Sequence, residues 1–187
     1  MDTAIVIAVI GALVSIFGWV VNSILNSKSQ RRLDRLTFQI EHTRQQLQEL
    51  YGPLTFLVIE GRQAYQDLLT ALGRNFVFIE GMHLPEHEQA LWNFWVEHDF
   101  LPRNAKISAL LANKTHLIEG KRMPESWVKF LEHAISWQLN HVRWENSQIG
   151  YSWHSRVNWP GAFEEDVIST FESLQERHAI LMGQRTH

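Results

Sequence analysis

Read from its N-terminus, the chain begins with an unbroken apolar run. Residues 4–24 read AIVIAVIGALVSIFGWVVNSI, 21 positions without a charge, and twelve of them are Ile, Val, Leu or Phe. A helix of that length crosses a hydrocarbon core of about 30 Å. At about 0.3–0.6 kcal/mol each, the twelve side chains favour insertion by on the order of 4–7 kcal/mol. Within the run, Ala4, Ala8, Gly11, Ser15, Gly18 and Asn22 recur at steps of four and three. That period predicts a face of small residues along which membrane helices approach closely.

A second periodic segment follows. Leu33, Leu36, Ile40, Thr43, Leu47, Leu50 and Leu54 are spaced alternately by three and four, with Arg, Asp, Gln and Glu between them. The pattern predicts a helical stalk to about Tyr51, joined to the first stripe through one extra four-residue step, a stutter that would locally unwind a supercoil. Gly52-Pro53 is expected to stop it, with Pro53 in the first turn of a new helix.

Beyond the stalk, Pro and Gly punctuate helical patterns at Pro53 to Gly73, Pro85 to His98, Pro102 to Ile118, Pro124 to about Glu145 and Gly161 to about Met182. The last opens with Glu164, Glu165 and Asp166, which complement the helix dipole. NFVFIEG at 75–81 is the one strand-like run, and Tyr151 to Pro160 reads as a loop with two Trp residues. The expected fold is all-α: a transmembrane anchor over 1–27, a juxtamembrane helical stalk over 28–52 and a cytoplasmic multi-helix domain over 53–187.

Charge sets the orientation. Lys28, Arg31, Arg32 and Arg35 follow the apolar run and Asp2 alone precedes it. The positive-inside rule therefore expects a single-pass membrane protein, N-terminus outside and C-terminal domain in the cytoplasm. A cleaved signal peptide fits poorly, because the run is long and lacks a basic n-region. Composition changes little in this picture. Apolar residues at 45% and charged residues at 20% describe a globular chain, and a net charge of −3 names no partner. With no cysteine, disulfides and thiolate metal sites are excluded.

Charge along the chain is uneven. Residues 101–143 hold Arg103, Lys106, Lys114, Lys121, Arg122, Lys129 and Arg143 against three Glu, with His116, His133 and His141 added. Residues 41–99 hold three Arg against nine acids. A phosphate ligand favours the basic stretch. Arg103, Asn104 and Lys106 fall in the expected first turn after Pro102, where free N–H groups and the dipole add anion affinity. A solvated charged face accounts for the same residues equally well.

On the helix from Pro124, Val128, Leu131, Ile135, Leu139 and Val142 share one face at about 100° per residue, expected to be the core face. Phe130, His133, Trp137, His141 and Trp144 share another. A second apolar face needs a cover: another helix, another subunit, the Tyr151 to Pro160 loop, or bases stacking at about 1–3 kcal/mol each. The ligand-binding candidates are therefore Arg103, Asn104, Lys106, Lys114, His116, Arg122, His133, Trp137, His141 and Arg143.

Catalytic motifs are missing. No phosphate-cradling Gly-rich loop, GxSxG elbow or HExxH occurs. Arg35 and His42 match only the loose Arg-x6-His spacing of some helical ribonucleases. A non-enzyme without cofactor or metal is expected.

Three stretches, LYGPL (50–54), FLPRNAKISALLANKTHLIEG (100–120) and MPESWVKFLEHAISW (123–137), stand behind the anchor and stalk. Together they resemble a group of small bacterial single-pass membrane proteins. The overall plan is similar to that of the membrane-bound accessory effectors of type III CRISPR systems, which bind cyclic tetra-adenylate. The resemblance covers roughly residues 4–145 in layout and carries no catalytic signature. It implies an antiviral effector whose cytoplasmic domain forms a homo-oligomer, such as a tetramer, senses a cyclic oligoadenylate and acts on the bilayer, with no DNA partner. The ligand candidates above come from charge and stacking and not from that resemblance. The alternative from another class is a membrane-tethered scaffold that docks a protein through its aromatic face and takes no small ligand.

Overall fold

The computed structural model describes residues 3–77, 84–147 and 158–185. Within these, the side chains of 4–10, 12–14, 16, 21, 25, 29 and 147 lie outside the description. The described residues are predominantly helical, without a strand. The helices are α1 (Thr3–Gln45), α2 (Gly52–Leu72), α3 (Glu86–Trp95), α4 (Leu101–Asn113), α5 (Glu125–Ser147) and α6 (Gly161–Arg185), with a 3-10 turn at Thr115–Leu117. The strand-like run has no strand over 75–77, where Val77 is buried in the core, and its remainder lies outside the described residues.

Two compact units emerge. One comprises Arg44–Arg177; the other joins the residues up to Thr43 with those from His178 onward. In the smaller unit α1 exposes Phe17, Trp19, Val20, Ile24, Leu33 and Phe38, and buries Ile40 and Thr43. Phe38 lies parallel to His42, with ring centroids 6.0 Å apart. The stalk heptad is thus open to solvent at Leu33, half-buried at Leu36 and Leu47, and buried at Ile40, Thr43, Leu50 and Leu54. Among the described residues, no helix is long and apolar enough to cross a membrane.

In the larger unit, Gly52-Pro53 does not end the helix as expected. A π-helical turn over Gln46–Tyr51 leads straight into α2, and the Gly52 N–H donates to the Leu47 carbonyl five residues back. The same device recurs before Pro102. A π-helical turn over Val96–Phe100 leads into α4, and the Leu101 N–H donates to the Val96 carbonyl. The cause lies in proline, which lacks an N–H and whose ring collides with the carbonyl four residues earlier. Widening the preceding turn to five-residue bonds moves that carbonyl to another donor, so the chain stays helical through the proline. Gly52 is required there, because a Cβ would stand 2.6 Å from the Leu47 carbonyl oxygen.

Two apolar clusters fill this unit. The larger gathers Leu50, Tyr51, Leu54 and Val58 from the first π turn and α2, Ile107 and Leu111 from α4, Trp127, Phe130 and Ala134 from α5, and Phe163, Val167 and Leu174 from α6. The smaller is built on Leu68, Leu69, Val77, Trp92 and Val96, with Trp137 of α5 packed against it. Helix α5 therefore serves both clusters with one face.

That face is not the expected one. Phe130 is wholly buried and His133 is 7% exposed, whereas of the expected face Leu131 alone packs against the larger cluster and Val128, Ile135, Leu139 and Val142 are 41%, 55%, 59% and 44% exposed. Phe130 stacks on Phe163 at 4.5 Å and meets Trp159 edge-on at 5.7 Å. Aromatic side chains bury more surface than aliphatic ones and gain further from ring geometry. The ring face therefore takes the interior, and Trp159, from the Tyr151 to Pro160 segment, covers part of it.

Candidate functional site

The candidate residues fall into three neighbourhoods. The first surrounds Arg103. Its side chain is buried, ion-paired to Asp99 one turn earlier, and its Nε lies 3.8 Å from a Glu60 carboxylate oxygen. It also crosses the backbone of α2 so closely that a Cβ on Gly61 would stand 2.9 Å from Nη1. Asp99 has its carboxyl pushed above the usual carboxylate range, because burial outweighs the lowering by Arg103. Asn104 is buried beside it, and Lys106 is exposed. The Leu101 N–H is already bonded to Val96, so the turn at Pro102 is not a free helix start. The N–H groups invoked for an anion there are part of a running helix, and the Arg103 charge is matched internally.

Around the end of α4, Lys114 donates to Glu49 at 2.6 Å and holds that carboxyl below its ordinary range. His116, in the 3-10 turn, and Arg122, in the connection to α5, are exposed.

A third group lies along the buried side of α5. His133 meets Trp159 edge-on at 5.6 Å, and Trp137 packs at 5.8 Å against Trp92. His141 lies 3.5 Å from Glu145 and 5.6 Å from the Trp144 ring. Arg143 is exposed. His133, Trp137 and His141 are thus brought together by one helix, within a ring-lined interior. They are not joined there by Arg103, whose contacts are with Asp99, Glu60 and Gly61.

Sequence reasoning missed a polar cluster in which Gln46 is 1% exposed. Its Nε2 donates to the Leu117 carbonyl at 3.0 Å and to Glu119 at 2.8 Å. Arg177 donates to Glu119 at 2.8 and 3.1 Å, and the Glu119 N–H donates to the Tyr51 hydroxyl at 2.9 Å. Burial raises the Tyr51 phenol above its ordinary range. These hydrogen bonds tie the first π turn, the α4–α5 connection and α6 to one another, which makes the cluster a fastening.

An open hollow of about 410 Å³ lies at the C-terminal end of α2, lined by Gln66, Leu69, Thr70, Gly73, Arg74 and Asn75. None of the candidate residues lines it, and Arg74 is paired to Glu88 at 2.7 Å. Among the described residues, no group of three or more His, Asp or Glu side chains is placed to hold a metal ion.

Of the small-residue face on α1, Gly11, Ser15, Gly18 and Asn22 are exposed, and the Ser15 hydroxyl donates back to the Gly11 carbonyl at 2.9 Å. A Cβ on Gly11 or Gly18 would meet nothing within 4 Å, so both sides are open for close approach. The side chains of Ala4 and Ala8 lie outside the described residues. Comparison with protein families, curated proteins and solved structures gives no match to this chain.

Proposed function

We propose that the chain is a single-pass protein of the bacterial inner membrane whose cytoplasmic helical domain works by association rather than catalysis. One observation carries the membrane part. The charge-free run over 4–24 is helical, and its described large side chains, Phe17 and Trp19 at 71% and 72% exposed among them, find no cover. Nine of its twelve Ile, Val, Leu and Phe residues stand at positions whose side chains lie outside the description, so the absence of a spanning helix among the described residues leaves the reading open. Transfer of such a run into hydrocarbon satisfies every backbone group within the helix and removes the apolar side chains from water.

The test is fractionation of cells expressing the full chain. Resistance to alkaline extraction, with a C-terminal tag protected from external protease in spheroplasts, supports the anchor and its orientation. Ser15→Arg with Gly18→Arg adds about 5–7 kcal/mol of insertion cost, enough to cancel the apolar gain, and should move the protein into the soluble fraction. Extraction of the unsubstituted protein into the soluble fraction overturns the reading.

A second reading, sensing of a cyclic oligoadenylate in antiviral defence, is favoured by the exposed side chains of Lys106, His116 and Arg122 and by the resemblance in plan. Calorimetric titration of the full chain with cyclic tetra-adenylate tests it. Saturable heat that is lost in Lys106→Glu with Arg122→Glu supports it, and no heat at any ratio removes it.

A further inference from the structure

We infer that α5 carries a self-association surface, on which a second copy of this chain packs antiparallel. Val128, Ile135, Leu139 and Val142 are all exposed, at 41%, 55%, 59% and 44%. At 100° per residue they lie within an arc of about 60°. The opposite side of the same helix is already committed to the core through Trp127, Phe130 and Ala134. An exposed aliphatic stripe beside a fully engaged core face marks an interaction surface.

Charge identifies the occupant. Glu132 and Arg143 both flank the stripe on the same side, about 60° and 80° around from Ile135. Both are exposed, Glu132 at 47% of its side chain beside Lys129 at 3.1 Å. A two-fold axis perpendicular to a helix pair brings each flank against its own copy. Setting Ile135 against Leu139 of the second copy places Glu132 within one residue, about 1.5 Å along the axis, of Arg143 of that copy. The symmetric contact repeats in reverse. One register thus closes the apolar stripe twice over and pairs opposite charges twice, which a partner of unrelated sequence would have to supply independently. This inference does not depend on the membrane reading.

The chain has no cysteine, so single introduced thiols report the geometry without background. In the full chain in detergent, Gln138→Cys stands next to the two-fold axis and should cross-link to itself under mild oxidant. Val128→Cys in two copies would be about 27 Å apart along the axis and should not. Ile135→Glu with Leu139→Glu should abolish the Gln138→Cys cross-link and turn a dimer in sedimentation into a monomer, with unchanged helical circular dichroism. Arg143→Glu should weaken the dimer, and adding Glu132→Arg should restore it. A monomer at every concentration, a dimer indifferent to the paired Glu substitutions, or equal cross-linking at positions 128 and 138 would each overturn the inference, the last by showing a parallel pair. Burial of the stripe by this chain's own residues would appear as a folded monomer.

Discussion

Arg177 donates a hydrogen bond of 2.9 Å to the side-chain oxygen of Gln46, 131 residues earlier in the chain. Through this contact and their shared partner Glu119, the first π turn, the α4–α5 connection and α6 at Arg177 are fastened together. The Arg177–Glu119 ion pair is about two-fifths exposed on both sides, and exposed pairs contribute about 0–1 kcal/mol. Gln46 is buried, and removing it strands the groups it satisfied, at about 1–3 kcal/mol. Gln46→Ala is therefore expected to destabilise the protein more than Arg177→Met, which urea unfolding of both variants measures.

At Gly52 the usual sign of a helix substitution should invert. Replacing a helical Gly by Ala normally gains about 1 kcal/mol. Here the new Cβ meets the Leu47 carbonyl oxygen at 2.6 Å, and backbone on both sides of the contact has to shift. Gly52→Ala should lose about 1–3 kcal/mol, in the range of overpacked cores. At Gly61 the obstacle is the end of the Arg103 side chain, which can turn away, so the loss should be smaller. Thermal unfolding of the two variants side by side gives the order.

The two faces of α5 make a paired prediction. Phe130→Ala removes a ring stacked on Phe163 and wholly buried, at a cost of about 3–5 kcal/mol. Ile135→Ala touches an exposed site and should stay within about 0.5 kcal/mol in a monomeric sample. Equal losses would show that the aliphatic face is interior after all.

Acid titration separates two carboxylates with opposite behaviour. Burial lifts Asp99 above its ordinary 3.8, so the folded state binds more protons than the unfolded one just above that value. Its contribution is complete below 3.8 and is lost as pH rises through the folded value. Glu49, lowered by Lys114 from 4.5, contributes above 4.5 and loses that contribution as pH falls through its folded value. Asp99→Asn should remove a decline in stability with rising pH in the window opening at 3.8. Glu49→Gln should remove a rise below 4.5. Denaturation midpoints across pH 3–6 for both variants check the two slopes.

Much of the helical layout was legible because Pro and Gly punctuate it. Pro53 to Gly73 anticipates α2, and Pro124 to Glu145 anticipates α5, within two residues at each end. What failed was the meaning assigned to the prolines. Pro53 and Pro102 were expected to mark helix boundaries, yet a widened turn before each one lets helical bonding run on. That misreading led to the anion site at Arg103, since a helix without a free start has no unclaimed N–H groups to offer. The faces of α5 were separable by periodicity but not rankable, because Val128, Ile135 and Leu139 are as apolar as Phe130 and Trp137. Only Phe163 and Trp159, from outside the helix, decide which face turns inward. Gln46, Glu119 and Arg177 leave no trace in sequence, as no local pattern links positions so far apart.

Each π turn also constrains how the chain length can vary. A turn with five-residue bonds holds one residue more than an α-helical path between the same points. Loss of a single residue, such as Gln48, would let the segment rewind as ordinary α-helix. The flanking helical segments would then keep their register, and Leu54 and Val58 would stay in the larger cluster in which both are wholly buried. A one-codon deletion there should therefore be better tolerated than the same deletion within α2, where every later side chain would rotate by about 100°.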